Sequence, residues 1–383
     1  MSLTPVQAED IRRSATAMVE SAISIASDLC TIPAPTGAEE RRAARVAGLL
    51  QERGYATEID DLHNVFAFRG PRTDSTLMLL AHTDTVFPDG TALATVRDGN
   101  HVFGPAIGDN CLGVAAMLTA IDVLDQLDIA TESGIRIVAN VGEEGLGNLR
   151  GAWRAVERFQ NETGAVIAIE GHNLGRITHM AVGSRRLRIT VNGPGGHSWG
   201  AFGQPSAIHG LGRIIAAISS LKVPEEPRTT YNVGLIEGGT SINTIAPVAS
   251  ALVDMRSVDA HELDRLSARV GEIIDNEAGD GLDVEVEILG ERPAGAVDTS
   301  DPYIRIATET LRWLDMEPVF DASSTDANVP ISLGIPAFCI GITRGGRVHT
   351  IHEYIDVEPV GLGLAQLTRL CVDATAHMSR ATN

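Results

Sequence analysis

TLMLLAHTDT, residues 76–85, is a short apolar run that turns abruptly polar at His82 and Asp84. The run is continuous rather than alternating and is bounded by turn or charged residues, the pattern of a strand covered on both faces. Three further runs read the same way: IRIVANV (135–141), AVIAI (165–169) and PAFCIGI (336–342). Helical spacing lies between them, as in LGVAAMLTAIDVLDQL (112–127), so an α/β domain is predicted. Residues 5–30 and 40–53 also carry helical spacing, and Gly54 stands where a helix C-cap would fall.

The texture changes near residue 182. LRITV (187–191), a helix over 205–221, TYNVGLIEG (230–238), ASALVDMRS (249–257), a helix over 261–278 and LDVEVEIL (282–289) follow in order. This β-α-β-β-α-β series predicts a ferredoxin-like domain over 182–293. The α/β pattern resumes near 300 with DPYIRIATETLRWL, which makes the first domain discontinuous, 1–181 with 294–383. A chain of 383 residues exceeds the size at which one core keeps growing, in keeping with two domains.

Composition narrows the function. A formal charge of -20 argues against nucleic acid or an anionic membrane as partner, since both require a concentrated basic surface. Lys222 is the only lysine and lies in a polar, proline-flanked stretch, which disfavours Schiff-base chemistry. The first residues hold no apolar signal core, and no stretch approaches the length of a membrane span, so a cytoplasmic location is expected. Cys30, Cys111, Cys339 and Cys371 are widely spaced without a CxxC pair and read as buried thiols.

The chemistry-bearing residues cluster at strand ends, where open α/β sheets form their ligand crevice. His82 and Asp84 follow the first run, Glu143 and Glu144 the second, and Glu170 the third; Asp109 and Asn110 precede the helix at 112, whose start they can cap. In AHTDT the spacing lets the His82 imidazole face a metal while Asp84 orients the ring. The EE pair could be a solvated loop. Directly after an apolar strand and before glycines, however, one carboxylate can bind metal while its neighbour deprotonates water.

AHTDT, GPAIGDN, GEEG, IEGH, GPGGHSWG, SINTIAP, VDMRS and RVHTIHEY occur in this order along nearly the whole chain. In this the sequence resembles the dizinc peptidase family of glutamate carboxypeptidase, aminoacylase, succinyl-diaminopimelate desuccinylase and peptidase T. The resemblance implies a catalytic domain holding two divalent metal ions, most simply zinc though cobalt or manganese suit the same ligands, and an inserted lid that forms a homodimer interface. It implies His82 and Glu170 on one metal, Glu144 and His349 on the other, Asp109 bridging them, and Glu143 as general base for a water shared by both metals. The family's terminal motif, His followed four residues later by Glu, selects His349 with Glu353 over its rival His352. In the lid, His197 would stabilise an oxyanion in the partner subunit's site, while Asn243 and Arg256 would hold a substrate carboxylate. From the residues alone, His197 could equally be a capping or surface histidine, and Arg256 could pair with Asp254 or Asp259.

The implied substrate is a peptide or N-acyl amino acid. Glutamate at position 170 resembles the carboxypeptidase, desuccinylase and aminoacylase members. GEEGLGNLRG also resembles peptidase T-like members, so a tripeptide aminopeptidase is the alternative, and a non-catalytic peptide-binding dimer is a further one. The sequence lacks GxSxG, and Cys111 has no identifiable activating base, which sets serine and cysteine hydrolases aside. His63, His101, His172, His179, His209, His261 and His377 match no ligand position and read as structural or solvated.

Overall fold

The computed structural model describes residues 4–382 except 278 and 280. The chain divides into two compact units: residues up to Ala181 together with those from Val297 onward, and Val182–Ala296.

In the first unit, Ile135–Asn140, Thr76–His82, Thr163–Glu170 and Ala337–Gly341 lie side by side and parallel. Val65–Arg69 adds antiparallel at one side, and Arg176–Ala181 adds antiparallel at the other, where Val319–Ser323 pairs with it. The unbroken apolar runs follow from period-two geometry acting on two cores. Leu77, Leu79 and Ala81 enter one core, whereas Met78 and Leu80 enter the core on the opposite face. The first core is closed by helices that include Val19–Cys30, Gly113–Gln126 and Val360–Thr382, the second by Arg150–Phe159 and Asn328–Ser332. Among the described residues, only Ile107–Gln126 is long and apolar enough to cross a membrane, and 89% of its most apolar 18-residue stretch is buried inside the protein.

Residues 5–30 form two helices, Pro5–Ala17 and Val19–Cys30, separated at Met18, and Thr4 with Gln7 makes a capping box at the start of the first. Helix Glu40–Glu52 ends as expected: Gly54 takes φ +84°, and Tyr55 N–H returns to the Leu50 carbonyl.

The second unit is an antiparallel sheet in the order Thr229–Gly238, Val248–Ser257, Gly183–Asn192, Asp283–Arg292. Helices Ala207–Ser219 and Ala260–Glu277 pack on it; residue 278, to which the second was expected to run, lies outside the described residues. Leu187, Ile189, Val191, Val253 and Met255 form its core with Leu211, Ile214, Leu266 and Val270. Gly196–His197 pairs with Thr244–Ile245 in a short separate ladder.

Candidate functional site

The parallel strands bring their carboxyl ends to one edge of the sheet, and the polar residues appear there. His82 is the last residue of its strand, opposite Asn140, and Glu170 ends the next, opposite Gly341. Glu143 and Glu144 follow Ile135–Asn140 after Gly142, whose φ of +71° permits the turn. Asp109 lies in the segment leading into helix Gly113–Gln126, and His349 lies between Gly345–Gly346 and Tyr354–Asp356, which pair antiparallel.

Five of these side chains form two groups that share Asp109. His82 Nε2 stands 3.2 Å from Asp109 Oδ1 and 3.7 Å from Glu170 Oε2; His349 Nε2 stands 3.1 Å from Asp109 Oδ2 and 3.2 Å from Glu144 Oε1. Within each group the candidate donor atoms all lie within 4.8 Å of one another. Glu144 Oε1 is buried without a hydrogen-bond partner among the described residues. A buried carboxylate oxygen whose near neighbour is an imidazole nitrogen at 3.2 Å, in a cluster of further carboxylates, fits a divalent cation, and a nitrogen and oxygen set without thiolate suits zinc, cobalt or manganese. Glu143 is buried beside the site but belongs to neither group. His352 is exposed and likewise belongs to neither.

Asp84 supports more than the ring it was expected to orient. Its carboxylate is 3.6 Å from His82 Nδ1, which lies nearer, at 3.2 Å, to the Asp84 carbonyl. The same carboxylate accepts from the backbone N–H of Glu143 at 3.0 Å and of Glu144 at 2.9 Å, and from Thr36 Oγ1 at 2.8 Å. It therefore ties the strand end carrying His82 to the loop carrying both glutamates.

One expectation is corrected. Helix Gly113–Gln126 begins without a side-chain cap, because the backbone at Asp109 and Asn110 is not helical and turns these side chains elsewhere. Asn110 Nδ2 instead donates to the Ile169 carbonyl at 2.7 Å, and its Oδ1 accepts from Gly171 N–H at 3.0 Å. The asparagine thus bridges the Asp109 segment to the strand end carrying Glu170.

The groups perturb one another strongly. Burial opposes charge on His82, but Glu170 and the carboxylates of Asp109 and Asp84 outweigh it and hold the imidazole well above its usual pKa. Burial lifts Glu170 to about 7 against the pull of His82. Asp109 is desolvated too, yet His349 and His82 hold its carboxyl below the ordinary range. Asp109 and Glu144 raise His349 to about 10. Asp84, opposed by burial, is kept at about 2 by His82 and the two backbone N–H groups. Opposed charges packed this tightly mark a site able to exchange protons for a cation.

In the second unit, His197 is exposed; its Nδ1 accepts from Trp199 N–H at 3.2 Å and Gly200 N–H at 3.3 Å. Asn243 is brought beside it, since Ser198 N–H donates to the Asn243 carbonyl at 2.9 Å. Arg256 pairs through Nε with Asp254 at 2.7 Å, the pairing left open by the sequence; among the described residues its terminal nitrogens are not engaged. Of the other histidines, His101 pairs with Asp356, His172 with Glu353, and His179 Nδ1 faces the Val297 carbonyl. Buried Asp326, in STDAN, escaped the sequence reading: it lies close enough to help raise Glu170, but no periodic or strand-end signal marks it.

The profile of peptidase family M20/M25/M40 matches residues 78–373. A succinyl-diaminopimelate desuccinylase of Bradyrhizobium sp. (strain BTAi1) is 22% identical over 91% of this chain and 97% of its own. Carboxypeptidase G2 of Pseudomonas sp. (strain RS-16) is 22% identical over 80% of this chain and 75% of its own. The crystal structure of aminopeptidase PepT from Bacillus cereus superposes with a TM-score of 0.79 at 22% identity, covering 94% of this chain and 99% of that one.

Proposed function

The chain belongs to peptidase family M20/M25/M40 and hydrolyses amide bonds, and we propose that it does so on peptides or N-acyl amino acids with two divalent metal ions. The observation that carries the reading is the pair of donor groups joined through the two oxygens of Asp109. In that reading His82 and Glu170 would hold one ion and Glu144 and His349 the other, with Asp109 shared between the two groups. Bound there, two ions, zinc before cobalt or manganese, supply Lewis acidity toward the scissile carbonyl and make water a nucleophile at neutral pH.

The remaining steps belong to the chain. Glu143, outside both groups, takes a proton from the attacking water and delivers it to the leaving amine. Asp84 keeps the His82 ring and the Glu143–Glu144 backbone in register. His197 reaches across a homodimer to stabilise the oxyanion, and Asn243 with Arg256 receives a substrate carboxylate. The unengaged terminal nitrogens of Arg256 support that role, and the sheet order of Val182–Ala296 with two helices supports a ferredoxin-like lid. Four unpaired, buried cysteines support a reducing, cytoplasmic location.

Glu170 favours release of a free amino acid from a peptide carboxyl end or from an N-acyl group. The GEEGLGNLRG stretch favours a second reading, removal of the amino-terminal residue of a tripeptide. Purified protein given zinc, cobalt or manganese and offered N-acyl amino acids, dipeptides and tripeptides separates them. Exclusive release of the amino-terminal residue would overturn the first reading. Two bound metals with no hydrolysis of any amide by the wild type, alongside Glu143→Ala as inactive control, would sink the mechanism.

A further inference from the structure

Glu353 is fully buried, and one of its oxygens does unusual duty. Oε1 accepts from Gly108 N–H at 2.8 Å and from Asp109 N–H at 2.8 Å, and it lies 3.0 Å from His172 Nε2. With a carboxylate oxygen opposite, the His172 nitrogen is the donor. The other oxygen, Oε2, is buried with no hydrogen-bond partner among the described residues. The carboxylate is therefore held by this one triple contact.

The three segments meeting at Oε1 are the three that bear Asp109, Glu170 and His349. Asp109 is held by its own backbone N–H; His172 lies two residues beyond Glu170; Glu353 lies four beyond His349. Glycines make room for the contact. A Cβ on Gly108 would stand 2.1 Å from His172 Nε2, and one on Gly345 would stand 2.8 Å from its Cε1. The imidazole is thus seated in a slot that only bare backbone leaves open.

We propose that Glu353 and His172 form a positioning pair that fixes the backbone of Asp109 and so sets both halves of the metal centre at once. The inference rests on the reading of Asp109 as the carboxylate shared by two ions. Its distinctive consequence is symmetry. Removing Glu170 or Glu144 strips one ion of a ligand, whereas releasing the Asp109 segment moves an oxygen from each. Support of this kind commonly contributes about tenfold to a hundredfold in metal affinity.

The test is zinc titration of metal-free protein against a chromophoric chelator, resolving two dissociation constants, for wild type, E353L, E353Q, H172F and the single-site control E170Q. Thermal melting of each metal-free protein and the visible absorption of the dicobalt forms accompany it. E353L and H172F are expected to raise both dissociation constants at least about tenfold and shift the cobalt bands of both sites, whereas E170Q weakens one. E353Q, which keeps an acceptor oxygen, falls between wild type and E353L. H172F puts a larger ring that cannot donate into that slot, and E353Q, which changes the charge but not the shape, keeps the question answerable if E353L or H172F does not fold. Two wild-type dissociation constants and unshifted cobalt bands in H172F and E353Q, or a lowered melting point alone, would overturn the proposal while leaving the two-metal reading intact. A wild type that binds fewer than two ions would remove both.

Discussion

Arg42 donates from Nη1 to the carbonyl oxygen of Thr83 at 2.8 Å while only 2% exposed. Its Nε and Nη2 donate to the Ile32 carbonyl at 3.1 and 2.6 Å, and among the described residues no carboxylate pairs with it. A full positive charge is thus satisfied by backbone alone, and it grips the one residue between His82 and Asp84. Charged hydrogen bonds are each worth about 1.5–3 kcal/mol, and a buried carbonyl left unpaired costs about 1–3 kcal/mol. Arg42→Met is therefore expected to lower stability by about 3–5 kcal/mol in urea unfolding of the metal-free protein, with Arg42→Lys intermediate. A loss below about 1 kcal/mol in Arg42→Met would mean that the two carbonyls find other donors.

Asp84→Asn separates the two services of that carboxylate. The amide keeps one acceptor oxygen, but its NH₂ must confront either the Glu143 or the Glu144 N–H, since both donate to the carboxylate now. The His82 ring also loses the charge beside Nδ1. Affinity for the ion on the His82 side is expected to fall about tenfold to a hundredfold, with turnover lowered even at saturating metal because the glutamate loop shifts. Normal turnover with two ions bound would show that the loop holds its position without Asp84.

Metal removal and pH are linked with a definite sign. In the metal-free protein His349 is lifted to about 10 and His82 lies well above its usual value, so both are protonated at pH 7. Coordination requires the neutral ring, so binding expels those protons, and affinity strengthens as pH rises toward 10. Glu170, raised to about 7, adds a fraction of a proton near neutrality. Calorimetry in buffers of different ionisation enthalpy is expected to find roughly two to three protons released per pair of ions at pH 7. Chelation is expected to abolish hydrolysis, with recovery on re-addition slower to saturate at pH 6 than at pH 8. Proton-neutral binding would contradict the charge arrangement.

How much of this was legible in the sequence depended on whether a residue's job leaves a pattern. The strands at 76, 135, 165 and 336 were readable because both sheet faces are buried, which forces continuous apolar runs. The placement of His82 and Glu170 at strand ends, and of Glu143 and Glu144 just beyond one, was readable because the apolar runs break there. Arg42 was not: in ERRAARV it is one of several arginines on an amphipathic helix, and its burial is a tertiary fact. Asn110 was read as a helix cap, the common use of that residue type, whereas the non-helical turn at Asp109 sends it to a neighbouring strand. Val65–Arg69 and Arg176–Ala181 pair antiparallel beside the parallel core; the first ends in half-buried residues and the second is exposed at Arg176 and half-buried at His179 and Met180, so neither gives the clean run of a central strand.

Two helical glycines offer a comparison in which magnitudes decide the sign. Replacing glycine by alanine inside a helix normally stabilises by about 1 kcal/mol. Gly48, in helix Glu40–Glu52, has nothing within 4 Å of an added Cβ, so Gly48→Ala is expected to gain about that amount in unfolding experiments. Gly113, first in its helix, would place a Cβ 1.9 Å from Asn110 Oδ1 and 2.8 Å from the Ile169 carbonyl. The asparagine cannot retreat without surrendering its bonds to Ile169 and Gly171, whose net worth of about 1 kcal/mol each already exceeds the propensity gain. Gly113→Ala is therefore expected to destabilise, by about 2–4 kcal/mol once the buried strand-end groups are counted as unpaired. It should also weaken metal binding in the group that contains Glu170, which ends the strand that Asn110 anchors. Equal stabilisation by both substitutions would mean that the segment from Asp109 to Gly113 shifts freely, and that the Glu170 strand end is held by something other than Asn110.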